Sequence, residues 1–264
     1  MRPKLLGANR KRYSMLLEGQ SGLVTGAAGG IGRGIATTLA AEGAAVVVAD
    51  LERSREGGEE TVAMIEAKGG RAIFVACDVT SPEETQSLVN QCIDTYGELD
   101  FAVNNAGVAV VKPLAENTDE DYRLVTSVNL DGTFYGMRAQ LNHMASRGTG
   151  AIVNIASVAG LAAVRNIGVY TATKHGIIGM TKNAAMEYGE QGVRINAVCP
   201  NAIRTPLLEG APEEFREGLI APQAIKRLGE PEEVGDAVAW LLSDKAAYIT
   251  GVALPVDGGY LTGP

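Results

Sequence analysis

The sequence predicts an α/β fold: one domain in which a doubly wound parallel sheet of about seven strands carries helices on both faces. Three observations predict it. From about Leu17 onward short apolar runs alternate with helical spacings, a glycine-rich turn joins the first run to the first helix, and polar residues stand just beyond the ends of successive runs. In an open parallel sheet that edge is where ligands collect. At 264 residues the chain can bury a sizeable single core, and no internal repeat, low-complexity tract or linker divides it.

Gly22-Leu23-Val24-Thr25 reads as the first buried strand and Ile31 to Ala41 as the first helix. Between them lies Thr25-Gly26-Ala27-Ala28-Gly29-Gly30-Ile31-Gly32. The unpaired N–H groups and positive dipole end of a helix start favour a pyrophosphate, provided no side chain blocks its approach. Gly26 permits the sharp turn, Gly30 lets phosphate near the backbone, and Gly32 lets the helix pack closely on the strand. A chain with 33 glycines makes such clusters by accident, but here a strand precedes the turn and an acid ends the next strand. That strand is Ala44 to Ala49, and Asp50 closes it roughly 20 residues past the turn, where a carboxylate accepts from ribose hydroxyls. A 2′-phosphate would meet a like charge there, and no Lys or Arg stands at Ala27, Ala28 or Gly29, so NAD is favoured over NADP. Arg33 and Arg53 are the basic residues near enough to reverse that preference.

The alternation continues. A helix over Ser54 to Lys68 is followed by a strand from Ala72 to Cys77, then a helix over Glu83 to Tyr96, capped by Ser81 with Pro82 in its first turn. Phe101 to Val103 is the fourth strand. A long helical stretch from Asp119 to Arg147 follows, then a strand from Ala151 to Ala156, a helix from Val169 to Tyr188 and a strand from Val193 to Val198. Asp50, Asp78, Asn104-Asn105-Ala106-Gly107, Ser157 and Pro200 to Thr205 each follow a strand. Loop-forming tendency explains any one of these positions but not their shared location.

Tyr170-Thr171-Ala172-Thr173-Lys174 places a phenol and an ammonium one helical turn apart. A free phenol, with a pKa near 10, is a poor base at neutral pH. The Lys174 charge, joined by that of an oxidised nicotinamide, is expected to favour the phenolate and make Tyr170 a usable acid/base. Ser157, one loop earlier, would hold the substrate oxygen. In a random chain Tyr-x-x-x-Lys is a surface pair; the nearby Ser157 argues for catalysis.

Composition excludes other classes. A net charge of −8 and a pI near 5.0 argue against nucleic acid or an anionic membrane as partner. Cys77, Cys92 and Cys199 lack paired spacing and read as buried free thiols in a reducing, cytoplasmic compartment. With only His143 and His175, no His-rich metal centre is available. No apolar stretch spans a bilayer; Ala151 to Val164 is interrupted by Asn154 and Ser157. Residues 1–16 carry Arg2, Lys4, Arg10, Lys11 and Arg12 with no acid and no apolar core, unlike a secretory signal. A flexible extension, or an upstream start ahead of a natural beginning near Met15, is the expectation, with residues 17–264 as the catalytic domain.

From about Leu17 to Tyr260 the chain resembles the short-chain dehydrogenase/reductase family. The resemblance rests on T-G-A-A-G-G-I-G, Asp78-Val79, N-N-A-G from Asn104, Val128-Asn129-Leu130, I-A-S ahead of Gly160, Y-T-A-T-K and V-D-G-G from Val256, in that order and separation. It implies a Rossmann-type fold, with Asn129, Ser157, Tyr170 and Lys174 as the catalytic tetrad and Asn129 positioning a water that links Lys174 to solvent. The implied dinucleotide contacts are Gly26, Gly30, Ile31, Gly32, Asp50, Leu51, Asp78, Val79, Asn104 or Asn105, Ala106, Gly107, Tyr170, Lys174, Pro200, Ile203 and Thr205. Asp78 and Val79 would flank the adenine, and Ile203 and Thr205 would meet the carboxamide. The segment near Val256 would lie in a subunit contact of a homotetramer.

One departure stands out: the family usually has Pro-Gly where this chain has Pro200-Asn201. Asn tolerates a left-handed backbone, so the turn is expected to survive with an added amide facing the substrate pocket or a substrate oxygen. A tolerated loop substitution is the alternative. Residues 206–225 hold Leu207, Leu208, Phe215, Leu219 and Ile220 beside several glutamates, a composition suited to an apolar lid. The expected substrate is a neutral secondary alcohol or ketone. Two other readings remain: a 3-oxoacyl-thioester reductase using NADPH, which Asp50 opposes, and a non-catalytic dinucleotide-binding scaffold, which the intact Ser157, Tyr170 and Lys174 oppose.

Overall fold

A computed structural model of the chain describes residues 15–210 and 212–263. The basic extension falls almost wholly outside the described residues. Where it meets them, at Leu16, the backbone N–H donates to Glu42 Oε2 at 2.8 Å. Seven strands form one sheet: β1 (Ser21–Thr25), β2 (Ala45–Asp50), β3 (Arg71–Ala76), β4 (Phe101–Asn104), β5 (Gly150–Ile155), β6 (Val193–Pro200) and β7 (Ala253–Val256). Their order is β3-β2-β1-β4-β5-β6-β7, and every pairing is parallel. The chain winds outward from β1 in both directions, so the order reverses between β1 and β4. A crevice opens there because the connections on either side leave in opposite directions.

The strands alternate their side chains between two cores, as a period of two requires. Val24, Val46 and Val48 pack against α1 (Gly30–Ala41), α2 (Arg55–Glu66) and α9 (Pro231–Leu242), through Ile35, Leu39, Ile65, Val234 and Val238. Leu23, Val47 and Ala102 face α3 (Pro82–Tyr96), α5 (Gly132–Arg147) and α6 (Gly168–Tyr188), through Leu88, Val89, Met137 and Leu141. At about 1.5–3 kcal/mol for each fully buried Val, Leu or Ile, these two layers hold the strand ends in fixed relation.

Helix starts follow local chemistry. Ser81 Oγ accepts from Glu84 N–H at 3.2 Å ahead of α3, and Thr118 and Asp121 form a reciprocal cap on α4 (Asp119–Thr126). The single long helix expected over Asp119 to Arg147 is instead two, joined by a π-helical turn at Ser127–Asp131. Beyond β6 the chain forms two short helices, α7 (Pro206–Glu209) and α8 (Glu213–Ile220). No described helix is long and apolar enough to cross a membrane.

Candidate active site

A cleft of about 760 Å³ lies along the carboxyl ends of the strands, at the switch point between β1 and β4. Its floor is the glycine-rich turn. Gly26 has φ +65°, and a Cβ there would sit 2.8 Å from Ala106 Cα; a Cβ on Gly32 would overlap the Gly26 carbonyl. Gly29 caps α1 with no side-chain hydrogen bond, so the first helical N–H groups are left for a ligand. Thr25 fixes the turn against β4: its hydroxyl accepts from the N–H groups of Asn105 (3.0 Å) and Ala106 (3.1 Å), while Asn105 Nδ2 donates back to the Thr25 and Gly26 carbonyls. The sequence showed Thr25 only as part of the motif; its role as a clamp needs the register of β1 on β4.

At one end of the cleft Asp50 accepts from Ala28 N–H at 3.0 Å and Leu51 N–H at 2.8 Å, beside Leu51, Asp78 and Val79. Arg33 is committed elsewhere. Its guanidinium donates to the Ala28 and Gly57 carbonyls, Thr61 and Glu60, bracing α1 on α2, whereas Arg53 is exposed at the rim. A pyrophosphate-sized floor without side chains, exposed helix N–H groups and a carboxylate at the far end fit a nicotinamide dinucleotide.

The other end carries Ser157, Tyr170, Lys174, Gly107, Pro200, Asn201 and Thr205. Tyr170 and Lys174 lie one turn apart on α6, with Lys174 Nζ 5.4 Å from the centre of the phenol ring and donating to the Ile155 carbonyl at 2.8 Å. Burial drives the ammonium down to about 8. Burial also pushes the Tyr170 phenol above its ordinary 10, partly offset by its hydrogen bond with Ser157, so the net direction is opposite to the one expected from Lys174 alone. Asn129 lies behind this pair rather than on the cleft wall. It sits at 0% exposure in the π-helical turn, accepting from Val108 N–H at 2.8 Å and donating to the Val108 carbonyl and Thr173 Oγ1. A Cβ on Gly107 would lie 3.3 Å from Asn129 Oδ1 and 3.5 Å from Lys174 Nζ, so a side chain at this position would press close to both.

Of the residues expected at the site, Gly26, Ile31, Gly32, Asp50, Leu51, Asp78, Val79, Asn105, Ala106, Gly107, Ser157, Tyr170, Lys174, Pro200 and Thr205 line the cleft. Asn104, Ile203 and Gly30 are not among the residues lining it. Asn104 is 5% exposed and bonds Gln140 on α5 and Asn154 on β5, because its side chain alternates away from Asn105. Ile203 is 4% exposed and packs into the core. Gly30 has φ +53° and turns the face a Cβ would occupy toward Thr205 Cγ2, at 3.3 Å, so it serves the turn and the fit of that loop. Asn201 does not take up a left-handed backbone: among the described residues Asn166 alone, outside glycine, has positive φ. The three cysteines are buried free thiols, with burial pushing Cys77 and Cys92 up to about 12 and Cys199 to about 11.

Residues 26–261 match the family described as enoyl-(acyl carrier protein) reductase. The chain is 43% identical over 240 residues to a cyclohexanol dehydrogenase of Acinetobacter sp. (strain SE19), an alignment spanning 90% of this chain and 93% of that protein. It is 42% identical over 249 residues to a 2,5-dichloro-2,5-cyclohexadiene-1,4-diol dehydrogenase of Sphingobium indicum, covering 92% and 98%. A solved structure described as a candidate short-chain alcohol dehydrogenase from Sinorhizobium meliloti 1021 superposes with a TM-score of 0.89 at 36% identity, over 95% of this chain and all of that one. Sheet order, cleft and relatives agree along nearly the whole sequence, and the chain belongs to the short-chain dehydrogenase/reductase family.

Proposed function

We propose that the protein is an NAD-dependent dehydrogenase of neutral secondary alcohols, cyclic ones foremost, working reversibly on the corresponding ketones. One observation carries the reading: a phenol and an ammonium on one helix face stand at the end of a dinucleotide-sized cleft whose opposite end holds a carboxylate. When bound, the nicotinamide supplies the acceptor for the carbinol hydride. Tyr170 Oη takes the hydroxyl proton during oxidation and returns it during reduction. Ser157 hydrogen-bonds the same substrate oxygen, Lys174 sets the field at the phenol, and Asn129 braces the strand-four loop against α6 through Val108 and Thr173. Asp50 favours NAD by accepting from ribose hydroxyls and repelling a 2′-phosphate, and Arg33, occupied by Glu60 and Thr61, is not free to oppose it. The same carboxylate weighs against the NADPH-dependent thioester reductase.

Substrate class is supported by two relatives named for ring alcohols. Residues 17–264 act as one catalytic domain with 206–225 as the lid. A cytoplasmic homotetramer completes the reading, supported by free thiols and by an apolar hollow between α5 and α6 that includes exposed Phe134. The test is a panel of secondary alcohols and diols, cyclohexanol included, incubated with NAD or NADP and followed by absorbance of the reduced cofactor. Turnover of ring alcohols with NAD is expected; turnover with NADP alone, or with no alcohol, overturns the proposal.

A further inference from the structure

Asn201, half-buried, and Gln223, buried, form an amide pair that the cofactor site leaves unexplained. Asn201 stands on the loop after β6, on the cleft wall next to Pro200, and its own N–H donates to the Val256 carbonyl at 3.2 Å. Its backbone is unstrained, so the residue is not there to supply a turn. Gln223 is three residues past α8 and 2% exposed. With its amide oxygen facing Asn201, it accepts from Asn201 Nδ2 at 2.9 Å while its nitrogen donates to the carbonyls of Ile225 (2.9 Å) and Arg227 (2.8 Å). The opposite orientation would set its oxygen against two carbonyls. Gly258 makes room for this arrangement: a Cβ there would sit 3.3 Å from the Gln223 amide, and Ile225 N–H donates to the Gly258 carbonyl at 2.8 Å.

The lid segment is otherwise weakly held. α8 has no buried residue, and Phe215 is 48% exposed. A buried, fully paired side-chain amide at the trailing end of such a segment fixes its hinge, because breaking it strands polar groups away from water. We infer that Asn201 and Gln223 are positioning residues: their hydrogen bond ties the trailing hinge of the 206–225 lid to the loop flooring the alcohol site, and so sets how far the lid closes on substrate. The inference rests on the alcohol dehydrogenase reading for its kinetic consequence but not for its structural one.

Both are tested with Asn201→Ala, Gln223→Leu and the double variant of the full chain, with cyclohexanol and NAD as probes. Amide hydrogen exchange over residues 213–220 should accelerate about tenfold in each single variant, since the local opening equilibrium is released. KM for cyclohexanol should rise about fivefold in each without a matching rise in KM for NAD, and the double variant should be no worse than Gln223→Leu alone, as expected for two ends of one contact. Unchanged exchange in Asn201→Ala, parallel rises in both KM values, or additive effects in the double variant would overturn the tether. Should Gln223→Leu fail to fold, Asn201→Ala carries both readouts. Should the parent not oxidise cyclohexanol, the activity proposal fails while exchange still decides the tether.

Discussion

The dinucleotide side of the cleft and the segment proposed as its lid are built on opposite principles. The dinucleotide side is made of strands and turns with almost no freedom: Val24, Val46 and Val48 are fully buried, and Gly26, Gly32 and Gly107 stand where a single methyl group would collide with or crowd a functional neighbour. The proposed lid is two short helices, and no residue of α8 is fully buried. Rigidity on one side lets small atomic differences decide binding and chemistry, whereas the other side trades stability for access. Variants on the first should therefore cost orders of magnitude, and those on the second only small factors.

The largest loss is expected from Tyr170→Phe, which removes the proton acceptor while keeping the ring: turnover of cyclohexanol should fall by about 10²–10⁴-fold, with NADH binding retained in a fluorescence titration. Gly32→Ala comes next. Its methyl group would meet the Gly26 carbonyl, and the resulting overpacking should cost about 1–3 kcal/mol in urea denaturation together with weakened NADH binding. Asp50→Asn removes the like charge facing a 2′-phosphate and should move the NADH/NADPH affinity ratio about tenfold toward NADPH, or about 1.4 kcal/mol. Phe215→Ala on the lid should raise KM for cyclohexanol only about threefold, or about 0.7 kcal/mol. A lid variant outranking Gly32→Ala in cofactor affinity would break the contrast between the two.

The same contrast explains what could be read from the chain. The cofactor wall was legible because its constraints are local: a glycine turn, an acid at a strand end, and a phenol and an ammonium spaced by one helical turn leave marks in a few adjacent residues. Asn129 is placed by resemblance, but the π-helical turn that buries it is not legible, since a single widened turn has no residue signature comparable to a cap or a glycine turn. Asn104 and Asn105 are adjacent and chemically identical; only strand alternation, with Asn104 turned toward Gln140 and Asn154, separates core from cleft. The raised Tyr170 phenol depends on burial, a property of the assembled fold. Gln223 leaves no such mark, because its partner lies 22 residues away, beyond two short helices.

The central claim, that Tyr170 exchanges the substrate proton, is tested most directly by pH profiles of kcat/KM in both directions, cyclohexanol with NAD and cyclohexanone with NADH. Oxidation requires the phenolate, and burial raises the phenol, so its rate should climb with pH through and above neutrality. Reduction requires the protonated phenol and should hold at neutral pH, then fall on the alkaline side as that proton is lost. Opposed limbs that vanish together in Tyr170→Phe are the predicted result; profiles that rise or fall in the same sense in both directions would contradict it.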